Sequence, residues 1–115
     1  MDQIPQYKVL YTAGAIRDIE EKSDYIATRF RDPELAERWY LGLRASIQKD
    51  LTTLPHKFQP YNVELWRQRG IRQYITRNDV VLYNVDDETK VVYIRAVCTK
   101  GQDLAVHLTE QEGQQ

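Results

Sequence analysis

Residues that bind metals or form disulfides are scarce in this 115-residue chain. Cys98 is the only cysteine, which excludes an intramolecular disulfide and favours a cytoplasmic location. The histidines are His56 and His107, and neither has a second His or Cys at metal-ligand spacing, so no metal site is predicted. A glycine-rich phosphate loop and a Gly-x-Ser-x-Gly motif are also missing, so we expect no cofactor.

Long apolar runs and a strong net charge are absent as well. No apolar stretch approaches the ~18 residues that a membrane helix needs, and the N-terminus lacks the features of a secretory signal. The net charge of -1 argues against a protein whose whole surface binds nucleic acid. The length fits one domain over residues 1–115, with a core at 7–108 and a disordered polar tail at 109–115.

Two amphipathic helices are predicted in the first half of the chain. Thr12 stands at an N-cap position, and Asp32 with Pro33 suits the start of a second helix that should end near Leu54. The first helix has a stripe at helical spacing that comprises Ala15, Ile16, Ile19, Ser23, Ile26, Ala27 and Phe30. The second stripe comprises Leu35, Ala36, Trp39, Tyr40, Leu43, Ile47, Leu51 and Leu54. We expect an antiparallel hairpin, with Trp39 and Tyr40 in its core.

Strand-like runs account for most of the remaining chain. A short run at Tyr7–Tyr11 precedes the helices, and runs at 70–76, 80–85 and 91–97 follow them. Residues 61–69 have poor periodicity and are interpreted as an irregular lead-in, with Val63, Leu65 and Trp66 against the core. The prediction is therefore an α+β fold of order β-α-α-β-β-β, in which a helical hairpin packs on a small, mainly antiparallel sheet.

Alternation along the last two strands predicts which side chains are buried. Both faces of the run at 80–85 are largely apolar, which is typical of a central strand that is covered on both sides. In the last strand one alternate set is Val92, Ile94, Ala96 and Cys98, which we expect to face the helices. The other set is Val91, Tyr93, Arg95 and Val97, which we expect to face solvent or a partner. Cys98 is accordingly predicted to be a small buried hydrophobe.

Basic residues are concentrated in one segment. No acid occurs between Glu64 and Asp79, where the arginines are Arg67, Arg69, Arg72 and Arg77. Charge patterning alone leaves two interpretations, a local basic patch or a set of solvated charges.

The order and spacing of several segments resemble the RelE/ParE superfamily, toxins of bacterial type II toxin–antitoxin modules. The segment from Thr12 to Ile19 resembles the family's entry into its first helix, and the resemblance extends to Leu108. The other matching segments are Ala36-x-x-Trp39-Tyr40-x-x-Leu43, Ile47-x-x-Asp50-Leu51-x-x-Leu54-Pro55, Gly70–Tyr74, Val80–Tyr83 and Val92–Val97. The resemblance implies the α+β fold given above.

The RelE-like branch of the superfamily cuts messenger RNA on the ribosome. In that branch a basic residue usually sits three positions before the strand tyrosine, which here is Tyr83. This chain has Val80 there, and valine can neither carry a proton nor neutralise a phosphate. A nuclease site in this chain would have to be rearranged. Its candidates are Arg72 and Lys100 for the phosphate and Asp103 or His107 for proton transfer.

The ParE-like branch is not enzymatic; its members block DNA gyrase and stabilise its cleaved DNA complex. The run Val80-Val81-Leu82-Tyr83 resembles this branch, and Asp103-Leu104 is kept. Cys98 and Gln102 stand where His and Arg are common in the branch. We therefore predict a ParE-like toxin, with a ribosome-dependent nuclease or a degenerate member that only binds antitoxin as the alternatives.

The resemblance also implies the partners: a cognate antitoxin, DNA gyrase in the ParE-like case or the ribosome and mRNA in the RelE-like case, and a homodimer when antitoxin is absent. The antitoxin would fold its disordered segment into a groove along the second helix and the sheet, either as a helix or as an added strand. The candidate antitoxin- or target-binding residues are Arg67, Arg69, Arg72, Arg77, Tyr83, Arg95 and Lys100. The arginines of the basic segment would meet acidic side chains of the antitoxin.

Overall fold

A computed structural model describes residues 6–100 of the protein. Strand β1 (Lys8–Tyr11) precedes helices α1 (Ala13–Arg29) and α2 (Pro33–Leu51). A 3-10 turn at Pro55–Lys57 and a short helix α3 (Glu64–Gln68) lead to strands β2 (Arg72–Ile75), β3 (Asp79–Asp86) and β4 (Val91–Thr99). The predicted α+β fold, with a helical hairpin followed by strands, is confirmed.

The four strands form one sheet in the order β1-β4-β3-β2. β1 pairs with β4 in parallel, and the other neighbours are antiparallel, so the sheet is mainly antiparallel as predicted. The outer edge of β2 is partly covered, because the amide of Gln73 donates to the carbonyl of Gln59 at 3.0 Å and that of Tyr61 donates to Ile71 at 2.8 Å. This cover shortens the free edge on which a foreign strand could add.

Both helix starts follow the predicted caps. The Thr12 hydroxyl accepts from the amide of Ala15 at 3.2 Å, and the Asp32 carboxylate accepts from Leu35 at 3.1 Å. α2 ends at Leu51, three residues before the predicted end at Leu54. The Thr52 hydroxyl donates to the carbonyl of Gln48 at 2.6 Å, and a residue before proline is disfavoured in helical geometry. Leu54 is consequently exposed rather than buried.

The helical hairpin packs on one face of the sheet and forms the larger core. Its fully buried centre includes Ala15, Ile47, Leu51, Val81 and Tyr83. Trp39 and Tyr40 pack against this core while half-buried, as predicted. The expectations for Ile16 and Phe30 were wrong, because their side chains are 45% and 58% exposed.

A β-bulge in β4 changes the predicted alternation. Leu82 is opposite Ala96 and Tyr83 is opposite Ile94, so Arg95 is an extra residue between the two pairs. The bulge reverses the sides on which the following residues lie. Ala96 and Cys98, predicted to face the hairpin, pack on the other face, while Val97, predicted to face solvent or a partner, is buried in the hairpin core.

The second, smaller core lies on the face opposite the hairpin. Its members are Tyr61, Trp66, Ile71, Val80, Leu82, Ala96 and Cys98. Helix α3 replaces the irregular lead-in that was predicted; five residues are too few to show a helical period in sequence. Trp66 is buried as expected, but Val63 and Leu65 are 37% and 53% exposed. Both faces of β3 are therefore covered, which confirms the prediction for that strand.

No helix within residues 6–100 has the length and apolar character needed to cross a membrane.

Candidate partner-binding site

A buried ionic cluster holds the hairpin to the end of the sheet. Asp79 is only 3% exposed, and its carboxylate accepts hydrogen bonds from the Lys22 ammonium group and, at 2.9 Å, from the Trp39 indole. Lys22 also donates to the Thr99 hydroxyl at 3.1 Å. The cluster thus joins α1, α2, β3 and β4. A buried carboxylate requires such donors because its desolvation is otherwise costly.

A second buried carboxylate stabilises the bulge. Asp18 on α1 is 6% exposed and accepts from the amide of Val97 at 2.9 Å, two residues after the bulged Arg95. The bulge disturbs the β3–β4 ladder, and the carboxylate supplies a partner for a buried amide at that point. Together with the Lys22–Asp79 pair, this contact fixes α1 on the sheet, and with it the position of α2.

One concave surface lies between α2 and the β2–β3 turn, and we call it the α2 cleft. Its volume is about 270 Å³. Its walls are formed by Arg38, Trp39, Gly42, Leu43 and Ser46 on α2 and by Thr76, Arg77, Asn78 and Asp79 at the turn. Arg38 and Arg77 are exposed, whereas Asp79 is already bonded to Lys22 and Trp39. The cleft therefore offers two cations beside an aromatic and aliphatic wall.

A larger groove lies between α1 and α2, and we call it the hairpin groove. Its volume is about 640 Å³, and it is lined by Tyr11, Ile16, Ile19, Glu20, Ser23, Asp24, Tyr40 and Arg44. The Arg44 guanidinium lies 5.6 Å from the ring centre of Tyr11 and 5.7 Å from that of Tyr40. It also donates to the Tyr40 hydroxyl at 2.9 Å, and burial raises the pKa of Tyr11. Helix α2 thus forms one wall of each concave surface.

The candidates Arg72, which is half-buried, and Tyr83, which is buried, both make contacts within the protein. The Arg72 guanidinium donates to the carbonyls of Phe58 at 2.7 Å and His56 at 3.2 Å, which ties the loop after α2 to β2. Tyr83 is fully buried, and its hydroxyl donates to the Pro55 carbonyl at 2.6 Å. The prediction that Tyr83 contacts a partner is therefore corrected, because its side chain has no exposed surface. Burial also raises its pKa.

The four arginines of the basic segment do not form one patch. Arg77 lines the α2 cleft. Arg72 lies on the hairpin side of the sheet, where it contacts the loop after α2. Arg67 and Arg69 belong to α3 and its C-cap on the opposite face, where the Arg69 guanidinium is 4.8 Å from the centre of the Trp66 ring. The β-sheet therefore separates charges that are close in sequence.

The two remaining described candidates lie on β4 and just after it. Arg95 donates to the Asn84 side chain at 2.6 Å, and its guanidinium is 5.4 Å from the Tyr93 ring. Lys100 is exposed, and its amide donates to the Asn78 carbonyl at 3.3 Å. Asp103, His107 and the tail at 109–115 lie outside the described residues.

The contacts of His56 and the burial of Cys98 serve the structure of the protein. His56 Nε2 and the Tyr7 hydroxyl each lie 2.8 Å from Asp87 Oδ1, and the contact with His56 lowers the Asp87 pKa. Burial raises the pKa of Cys98 to about 12, so its thiol stays protonated at neutral pH. Within residues 6–100 there is no group of three or more His, Cys, Asp or Glu side chains suited to a metal ion.

Sequence interpretation missed Arg38, Lys22 and Asp79. Arg38 falls off the apolar stripe of α2 and looks like an ordinary solvated charge. Lys22 and Asp79 are 57 residues apart, so no local pattern connects them. The position of Asp79 directly before the apolar run Val80–Tyr83 was the one available signal for it.

Comparison with known proteins agrees with this architecture. Residues 9–104 match the family described as the ParE toxin of type II toxin–antitoxin system, parDE. No curated protein sequence matches the chain.

Two solved structures share the fold. A toxin–antitoxin complex RelBE2 from Mycobacterium tuberculosis is similar with a TM-score of 0.64 and 23% identity, covering 89% of this chain and 100% of that one. A chromosomal ParDE system from P. aeruginosa is similar with a TM-score of 0.66 and 17% identity, covering 82% and 96% respectively. The chain has the RelE/ParE-like fold and belongs to the family of ParE toxins of type II toxin–antitoxin systems.

Proposed function

We propose that the protein is a ParE-like toxin that inhibits DNA gyrase and is neutralised by a cognate antitoxin that binds across α2. Family membership supports the toxin role, and the two concave surfaces beside α2 support the binding mode. The solved relatives are themselves toxin–antitoxin systems, which is consistent with an antitoxin as partner.

The observation that favours gyrase over messenger RNA is the separation of the nuclease candidates. Arg72 is level with Tyr83 and Ile94 in the sheet, whereas Lys100 follows Thr99, which pairs with Asp79. At ~3.3 Å per residue these levels are about 15 Å apart along the strands. To meet a phosphate near Lys100, the Arg72 guanidinium would have to release the two carbonyls that it already binds.

The branch position Val80 also lacks nuclease chemistry. Its side chain is 7% exposed and belongs to the small core with Trp66 and Cys98. Since the transition state of RNA cleavage needs cations and acid–base groups at the phosphate, a buried valine there supports the non-enzymatic alternative.

The α2 cleft supplies the electrostatic part of antitoxin recognition. Arg38 on α2 and Arg77 in the β2–β3 turn can each pair with a carboxylate of an extended or helical segment. The hairpin groove supplies the apolar part, because Ile16 is 45% exposed there beside the rings of Tyr11 and Tyr40. A segment that is disordered until it binds can cover both surfaces by crossing α2.

The decisive experiment is induction of the chain in a sensitive bacterium, with separate measurements of DNA synthesis, translation and message integrity. We expect induction of DNA repair and arrest of replication while translation continues. Early loss of translation with cut messages would contradict gyrase inhibition and favour the ribosome-dependent nuclease. Unimpaired growth would contradict toxicity and favour the degenerate member.

A further inference from the structure

The hairpin groove carries different charges along its length. Its cation, the Arg44 guanidinium, lies 5.6 Å from the ring centre of Tyr11, the last residue of β1. Its anions, Glu20 and Asp24, lie on α1, about 6 and 12 Å beyond Ile16 along the helix axis. All five side chains line the same groove, so one occupant would meet both carboxylates and the exposed isoleucine.

The two carboxylates of the groove have no counter-charge. Both side chains are exposed, and within residues 6–100 neither Glu20 nor Asp24 has an ion-pair partner. Arg44 is instead held by the Tyr40 hydroxyl and by the two tyrosine rings of the groove. The rest of the sequence contains no lysine or arginine, so only the terminal amino group and a protonated His107 could supply a cation from there.

The spacing of these acids suits a single basic side chain. Glu20 and Asp24 are four residues apart, so they are neighbours on one side of α1 and repel each other. A guanidinium has five donors, so one arginine between them can bind both carboxylates. Ile16, which is 45% exposed one turn away, favours a peptide segment over a simple cation, because an ion gains nothing from an apolar neighbour.

We propose that Glu20 and Asp24 select the antitoxin: the segment that fills the hairpin groove carries an arginine or lysine between these carboxylates and an apolar side chain against Ile16. This inference rests on the function proposed above, in which Arg38 and Arg77 of the α2 cleft bind acidic side chains. The bound segment therefore has opposite charges in its two parts, which fixes the direction in which it crosses α2. A segment with the reverse order of charges would meet like charges at both surfaces.

The test measures the affinity of the purified full-length chain for a purified antitoxin by calorimetry. That antitoxin is isolated from a genomic library of the source organism as a protein that restores growth when the chain is induced. Glu20→Lys/Asp24→Lys reverses the charge of the groove, and Glu20→Gln/Asp24→Asn only neutralises it. Glu21→Lys/Glu37→Lys is the control, with the same change of charge at exposed positions that line neither concave surface. Thermal unfolding establishes that each variant is folded.

We expect the dissociation constant to rise about tenfold or more for Glu20→Lys/Asp24→Lys and several-fold for Glu20→Gln/Asp24→Asn, with smaller losses at high salt. The control should stay within about threefold of the unmodified chain. Each basic residue of the antitoxin is then changed in turn to glutamate. One of these changes should restore most of the affinity for Glu20→Lys/Asp24→Lys, because the two charges then attract each other again.

Three results would overturn this inference and leave the proposed function intact. They are an unchanged affinity of the folded Glu20→Lys/Asp24→Lys variant, an equal loss in the control, and an antitoxin in which no charge reversal restores binding. A chain that does not stop growth when it is induced would overturn the proposed function and this inference together.

Discussion

The two faces of one sheet are covered in very different ways. Helices of 17 and 19 residues cover one face, which we call the hairpin face, whereas a helix of five residues covers the opposite face, which we call the α3 face. The hairpin face also has two buried carboxylates that bind across elements, Asp18 to β4 and Asp79 to both helices. The large buried side chains of the α3 face are Trp66 and Tyr61. The comparison leads us to expect that substitutions on the hairpin side cost more stability than substitutions on the α3 side.

The largest effect should come from the ionic cluster of the hairpin face. Asp79→Asn keeps an acceptor for the Trp39 indole but leaves the Lys22 ammonium without its counter-charge in a largely buried site. We expect a loss of about 3 kcal/mol in the free energy of unfolding, measured with urea. The double variant Lys22→Met/Asp79→Asn removes both charges and should lose less than Asp79→Asn alone. A larger loss in the double variant would contradict the account of the cluster.

Substitution of two neighbouring valines on β3 allows a direct comparison of the two faces. Val81 is fully buried under the hairpin, and Val80 is 7% exposed in the smaller core. Because Val81 is fully buried and Val80 is slightly exposed, Val81→Ala should cost about 2 kcal/mol and Val80→Ala about 1 kcal/mol. Urea unfolding of both variants tests the order. A larger loss of stability for Val80→Ala than for Val81→Ala would contradict the greater contribution of the hairpin face.

Charge reversal in the α2 cleft tests the hairpin face as the antitoxin surface. We expect Arg38→Glu/Arg77→Glu to weaken binding of a cognate antitoxin about tenfold, which corresponds to about 1.4 kcal/mol. Calorimetry at low and high salt is the measurement, and the loss should shrink as salt rises. Arg17→Glu/Arg29→Glu is the matched control. Equal affinities for both variants would remove the cleft from antitoxin recognition.

Alkaline pH should produce the smallest effect. Burial and the hydrogen bond to Asp50 raise the pKa of Tyr74 from 10.0 to about 12. The raised pKa means that the folded state favours the protonated phenol, so this stabilisation is complete below about pH 10 and is lost as pH rises through 12. We expect Tyr74 to account for about 1 kcal/mol of lost stability at pH 11.

Tyr74→Phe provides the control for that pH dependence. Its stability should fall less steeply between pH 9 and 11 than that of the unmodified chain, although it loses the bond to Asp50 at every pH. Cys98 and Tyr83 have raised pKa values for the same reason and remain in both proteins. Identical slopes in thermal melts across this range would contradict the assignment to Tyr74.

The hairpin face was largely predictable from sequence, because its helix caps involve residues close in sequence and its apolar pattern repeats along each helix. Thr12 and Asp32 cap helices within three residues of themselves, and the apolar period extends over several turns. The α3 face was not predictable from sequence, because the five residues of α3 are too few to show a helical period. The bulge at Arg95 also depends on the partner strand. An alternation pattern assumes an unbroken ladder, so one extra residue was enough to misplace Ala96, Val97 and Cys98.

The residues of the candidate site were also only partly predictable from sequence. The sequence prediction grouped Arg67, Arg69, Arg72 and Arg77 because they are close along the chain. Strand alternation and the position of α3 place them on different sides of the sheet. Tyr83 was misassigned for a related reason: a tyrosine in a family motif does not indicate whether its hydroxyl faces solvent or, as here, the Pro55 carbonyl.

The central claim is that the antitoxin binds across α2, and amide hydrogen exchange of the toxin with and without a cognate antitoxin tests it most directly. We expect the antitoxin to slow exchange in α2 and at Thr76–Asp79, with exchange at Glu64–Gln68 unchanged. Slowed exchange across Glu64–Gln68, with no change in α2, would contradict the account.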